Sequence, residues 1–137
     1  MHGIMYGLEI FLAIMDVIVG LIFLGVFMPL VRRKIGRNPF YGFRTPITLA
    51  SDKAWFAVNY AAAKAGVYMS IGTVIFGILM AIVMALLPSA MSDHMENAVL
   101  CATAMGALVP ILGSIVAMNI ALKKLEGDKH ADPEEML

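Results

Sequence analysis

Charge is scarce in this chain. Only 15% of its 137 residues are Asp, Glu, Lys or Arg, and 61% are apolar. Soluble domains carry about 25% charged residues, so the imbalance excludes a disordered chain and argues against a water-soluble globule. Basic and acidic residues number ten each, and the excess of positive charge that marks a nucleic-acid binder is missing. Cysteine occurs once, as Cys101, which excludes an internal disulfide and any multi-cysteine zinc or iron–sulfur site. His2, His94 and His130 are far apart and lack metal-ligand spacing, so no metal and no other cofactor is expected. A Ser–His–Asp set, an HExxH pair and a phosphate loop are all missing, and the chain reads as no enzyme. Cys101, alone in an apolar run, reads as a packing residue.

Uninterrupted apolar sequence is abundant instead. The run 10–31 holds one charge, Asp16, and the runs 65–87 and 98–122 hold none. Twenty-two residues, as in the first run, rise about 33 Å as a helix and cover a hydrocarbon core of about 30 Å. A cleaved signal peptide does not fit, because no Lys or Arg precedes the run and Arg32, Arg33 and Lys34 stand where a cleavage site belongs. Pro110 should kink the third run, a defect that membrane bundles tolerate. The expected fold is an all-α membrane protein of one domain over 1–137. It has three transmembrane helices, an ordered loop and amphipathic helix between the first and second, and a mobile acidic tail over 125–137.

The connecting segments give an orientation. Segment 32–64 carries Arg32, Arg33, Lys34, Arg37, Arg44, Lys53 and Lys64 against Asp52, a net charge of +6. Segment 88–96 carries Asp93 and Glu96 without a basic residue. The positive-inside rule therefore expects 32–64 and the C-terminus in the cytoplasm, and the N-terminus and 88–96 outside the cell membrane. Small residues recur at helical spacing in the second run (Gly66, Ser70, Thr73, Gly77, Ala81, Ala85) and the third (Ala98, Ala102, Gly106, Pro110, Gly113, Ala117, Ala121). Such stripes bring helix backbones together in lipid, so these helices should pack on each other or on a second copy, and a homo-oligomer is expected.

Glu9, Ala13, Asp16 and Gly20 share one face of the first span. Glu9 is expected near the outer interface, where water solvates it. Asp16 lies deeper, where an ionised carboxylate costs on the order of 2.5–3.5 kcal/mol. Two readings stand for it: a neutral acid hydrogen-bonded to Ser70, Thr73, Ser114 or Asn119, or a carrier of protons or cations.

The densest chemistry lies between the first two spans. Asn38-Pro39 and Tyr41-Gly42 read as turns, and two prolines and two glycines within 36–46 forbid a regular helix. Ser51 is a good N-cap with Asp52 in the first turn behind it. A helix from Asp52 would carry Trp55, Asn59, Ala62 and Gly66 on one face, either lying on the membrane or continuing into the second span. Basic and aromatic residues together suit contact with membrane lipid at the headgroup level.

The string NPFYGFRTPITLASDKAWFAVNYAAAKAG resembles the signature of the SdpI-like family of bacterial toxin-immunity membrane proteins. That signature is similar to N-x-x-Y-G-(F/I)-R-T-P-x-T-L-x-S-x-x-x-W, followed by His or Asn and small residues before a span. Asn38, Tyr41, Gly42, Arg44, Thr45, Pro46, Thr48, Leu49, Ser51, Trp55 and Asn59 fall on it. The best-known members protect a cell from its own secreted toxin and hold a transcriptional regulator at the membrane, and they carry further spans ahead of this minimal module. The resemblance implies a non-enzymatic immunity or signalling protein whose partner is a peptide or protein toxin or a cytoplasmic regulator, with Arg44 as the central donor. Arg44 alternatively ties the loop to helix ends by capping free carbonyls. The competing reading is a small proton- or cation-coupled transporter working through Asp16 and Glu9.

Overall fold

The computed structural model describes the backbone of residues 2–86 and 93–131. Five helices follow one another: α1 (His2–Val31), α2 (Pro46–Ala50), α3 (Asp52–Leu86), α4 (Asp93–Gly106) and α5 (Val109–Ala131). Helices α1 and α3 are each long and apolar enough to cross a membrane, and α4 with α5, bent by 50°, pass the same test together, making three spans if the bent pair counts as one. The chain is an all-α membrane protein, and no strand occurs among the described residues.

Helix α1 ends where its apolar run ends. Lys34 N donates to Pro29 O at 3.1 Å and Arg33 N to Leu30 O at 3.0 Å, with Arg33 in the left-handed region at φ 53°. This paired closure usually places glycine where Arg33 stands. Here the basic residues 32–34 meet the negative end of the helix dipole, and the Arg33 guanidinium sits 4.9 Å from the centre of the Tyr60 ring.

Helix α3 has 35 residues, about 52 Å at a rise of about 1.5 Å per residue. It outruns a hydrocarbon core of about 30 Å. Its charges, Asp52, Lys53 and Lys64, all lie in its first half, so the excess projects beyond the lipid at that end. The amphipathic stretch after Ser51 is thus the first part of the second span, joined to it without a break.

The break between α4 and α5 lies one turn before Pro110. Proline has no N–H for the carbonyl of Gly106, four residues back, and its ring crowds that carbonyl. Helix α4 stops at Gly106, the turn closes with Leu108 N on Met105 O at 3.1 Å, and α5 resumes with Leu112 N on Leu108 O at 3.1 Å.

Helix α3 is central, packed on α1 along one side and on α5 along another, while α1 also meets α4. The small-residue stripe of α3 serves both sides. Gly66 lies under the Phe27 ring of α1, Gly77 lies against the Ala13 carbonyl, and Thr73 reaches Gly106. Helix α5 runs to Ala131, beyond the expected end of the span at 122, because Leu125 is buried against Ala54 and Val58 of α3. The remainder of the expected tail, 132–137, and residues 87–92 of the expected outer connection lie outside the described residues.

Candidate functional site

Most of the side chains of the loop motif turn inward and build a cap on the projecting end of α3. Asn38 starts it. Its Oδ1 accepts from Phe40 N at 2.9 Å and Tyr41 N at 2.7 Å, and its Nδ2 donates to Gly36 O at 2.8 Å. This side-chain-closed turn sends Tyr41 back along α1, where its hydroxyl donates to Val26 O. Burial pushes the Tyr41 phenol above its ordinary pKa, which keeps that donor protonated. Tyr41 and Phe43 pack on Phe27, Leu30 and Ala63, joining the cap to the top of the bundle.

Gly42 follows at φ +102°, a conformation that side chains disfavour. A Cβ there would also lie 2.6 Å from Asn59 Oδ1 and 3.2 Å from the Trp55 ring. That closeness lets Asn59, 2% exposed, serve the loop backbone. Its Oδ1 accepts from Phe43 N at 2.6 Å, and its Nδ2 donates to Phe43 O at 3.3 Å and Trp55 O at 3.1 Å. Trp55, fully buried, donates from Nε1 to Ile35 O at 3.1 Å. Thr45 and Thr48 form a reciprocal capping box at the start of α2, with Pro46 in the first turn. Ser51 Oγ accepts from Ala54 N at 3.1 Å and caps α3 as expected.

Arg44, Pro46 and Leu49 of the motif face outward, as does Phe40 within the turn. Phe40 is 90% exposed, and Arg44 is exposed with its guanidinium donating to Pro39 O across the turn. Arg44 therefore holds a loop carbonyl. The arginine that takes up a carbonyl at a helix end is Arg37, which donates to Leu49 O at 2.8 Å and pairs with Asp52 at 3.2 Å. Arg37 was not among the residues expected at the site. Only its basic character was visible, because its partners lie 12 and 15 positions away.

A second constellation lies inside the helices. The shared face of Glu9, Ala13, Asp16 and Gly20 is buried throughout. Glu9 is 2% exposed, so the expectation that water solvates it is corrected: the face that turns Asp16 inward carries Glu9 with it. Asp16 is 1% exposed, and its carboxyl lies against Gly106 at the α4–α5 break, where a Cβ would meet Oδ2 at 2.9 Å. The four expected hydrogen-bond partners are engaged elsewhere or turned away. Ser70 donates to Gly66 O, Ser114 to Ile111 O and Thr73 to Gly106 O, while Asn119 is exposed. Each hydroxyl finds a nearer backbone carbonyl. Among the described residues, no group of three or more His, Cys, Asp or Glu is placed to hold a metal ion.

Comparison with protein-family models matches residues 34–120 to the SdpI/YfhL protein family. The chain belongs to the SdpI/YfhL protein family. The matched stretch takes in the cap, α2, α3, α4 and the greater part of α5. It begins after α1, so Glu9 and Asp16 lie outside it. Comparison with curated proteins and with solved structures finds no match.

Proposed function

We infer that this SdpI/YfhL family member is a non-enzymatic immunity or signalling protein of the cell membrane, acting against a membrane-active toxin through segment 36–59. The supporting observation is that the family match takes in the cap, whose buried Asn59 and Thr48 fix the Phe43 backbone next to the exposed Arg44, while Phe40 also faces outward. An exposed guanidinium offers a planar fork of donors to carboxylate, phosphate or carbonyl groups of a peptide, a regulator or a lipid headgroup. The net charge of +6 on 32–64 orients this cap to the cytoplasm, with the N-terminus outside. The role is tested by survival. A sensitive strain expressing the chain is challenged with a panel of secreted membrane-active peptide toxins beside an empty-vector control. Increased survival against at least one toxin is expected, and equal killing across the panel would count against immunity.

A second reading, a small proton- or cation-coupled transporter, draws on one observation, the buried Asp16 carboxyl at the helix break. Flux into proteoliposomes driven by a sodium or proton gradient tests it, and no flux above that of empty vesicles would remove it.

A further inference from the structure

The interior of the bundle holds an oxygen set that the immunity reading does not use. Asp16 Oδ2 is buried and has no hydrogen-bond partner among the described residues. It lies at Gly106, the last residue of α4, whose carbonyl has lost its helical donor to Pro110. Thr73 Oγ1 donates to that carbonyl at a long 3.3 Å, which leaves lone pairs on both oxygens. Thr73 and Gly106 also line an open groove of about 170 Å³ with Met69, Gly72, Phe76 and Val109, so two of the three residues border a space open to the surface, and Asp16 lies buried against Gly106.

We propose that Asp16, Thr73 and the freed Gly106 carbonyl form a binding site for a small monovalent cation of the sodium class at the α4–α5 break. Carboxylate, carbonyl and hydroxyl are hard oxygen donors, suited to alkali and alkaline-earth ions over transition metals. Interrupted membrane helices use freed carbonyls in this way. Charge selects the valence. One carboxylate is neutralised by one positive charge, whereas a divalent ion would leave a net charge buried at a depth where it costs several kcal/mol. Glu9 lies about two turns along the same face. Among the described residues of α3, α4 and α5, no titratable side chain is buried beside Asp16. Space at the break is tight, because the carboxyl oxygen lies 2.9 Å from the position of a Gly106 Cβ. The site does not depend on transport: a cation that only holds the break together satisfies it, and binding and flux are measured separately.

The test uses the purified full-length protein in detergent. Carbodiimide modification of Asp16, read by peptide mass spectrometry, is compared in choline, potassium and sodium chloride at one pH and ionic strength, alongside binding of radioactive sodium. Labelling in choline and its suppression by sodium are expected. Thr73→Ala, which removes one oxygen, should raise the protecting sodium concentration about tenfold, equivalent to about 1.4 kcal/mol. Gly106→Ala, whose Cβ would enter the carboxyl's space, should abolish sodium binding while the protein still elutes as a folded species. Asp16→Asn should show neither labelling nor binding. Equal labelling in all three salts would overturn the proposal and leave Asp16 as a protonated acid. Absence of labelling in every salt would overturn it too, because a site that exchanges ions must admit the reagent.

Discussion

Asn59 holds the cap to α3, and its replacement by leucine measures what that attachment contributes. The change removes the acceptor of Phe43 N at 2.6 Å and the donors to Phe43 O and Trp55 O. Phe43 O keeps Thr48 Oγ1 at 3.0 Å, so the main loss is one buried N–H without a partner, about 1–3 kcal/mol. The branched side chain would also press on Gly42, whose missing Cβ lies only 2.6 Å from the present amide oxygen, adding about 1–3 kcal/mol of overpacking. A total of about 2–6 kcal/mol should lower the unfolding temperature in detergent by on the order of 10 °C. Asn59→His provides the control. Neutral imidazole offers one acceptor and one donor, so the loss should be smaller near pH 8. Held neutral in the fold, this His would have a folded pKa below its unfolded value of about 6.5. The unfolded chain would then bind the extra proton, and stability should fall as pH drops below that value. The assay is thermal unfolding followed by far-UV circular dichroism, with hydrogen exchange of the Phe43 amide. An Asn59→Leu protein that unfolds within about 2 °C of the parent and keeps that amide protected would refute the reasoning.

Further expectations concern the backbone and the membrane. Gly42→Ala should cost about 1–3 kcal/mol, because φ +102° disfavours a side chain; chemical or thermal unfolding in detergent reports it. Pro110→Ala restores an N–H for Gly106 O and should reduce the 50° bend, read as a lengthened distance between spin labels on α4 and α5. Single cysteines at Ser51 and Ser89 in a Cys101→Ala background should react with impermeant reagents from opposite sides of the membrane. Reaction of both from one side would remove the proposed topology.

Hydropathy makes the spans visible because membrane burial demands long apolar runs whatever the neighbours do. The cap on α3 is equally local, since Ser51 acts on an N–H three residues away. The loop motif reveals that 36–59 matters without revealing which way each side chain points. Arg44 looks central in sequence, yet it reaches Pro39 O within its own turn, while Arg37 takes Leu49 and Asp52. Those contacts depend on how α2 folds back, and no local spacing encodes that. Asp16 was visible as an intramembrane acid. Its neighbour was not, because the meeting of Asp16 with Gly106 depends on a carbonyl that Pro110 frees one turn earlier and on α1 packing against α4. The shared cause of both misses is tertiary contact between elements distant in sequence.

The central claim is that the ordered cap presents Arg44 for recognition, and Arg44→Lys tests it most directly. Lysine keeps the charge and loses the planar fork. Because the bond to Pro39 O is exposed, the change should cost under about 0.5–1 kcal/mol of stability. Survival under toxin challenge and unfolding temperature in detergent are measured on the same variant. The account predicts lost protection at an unfolding temperature within a few degrees of the parent. Full protection at full stability, or protection that falls only in step with stability, would contradict it.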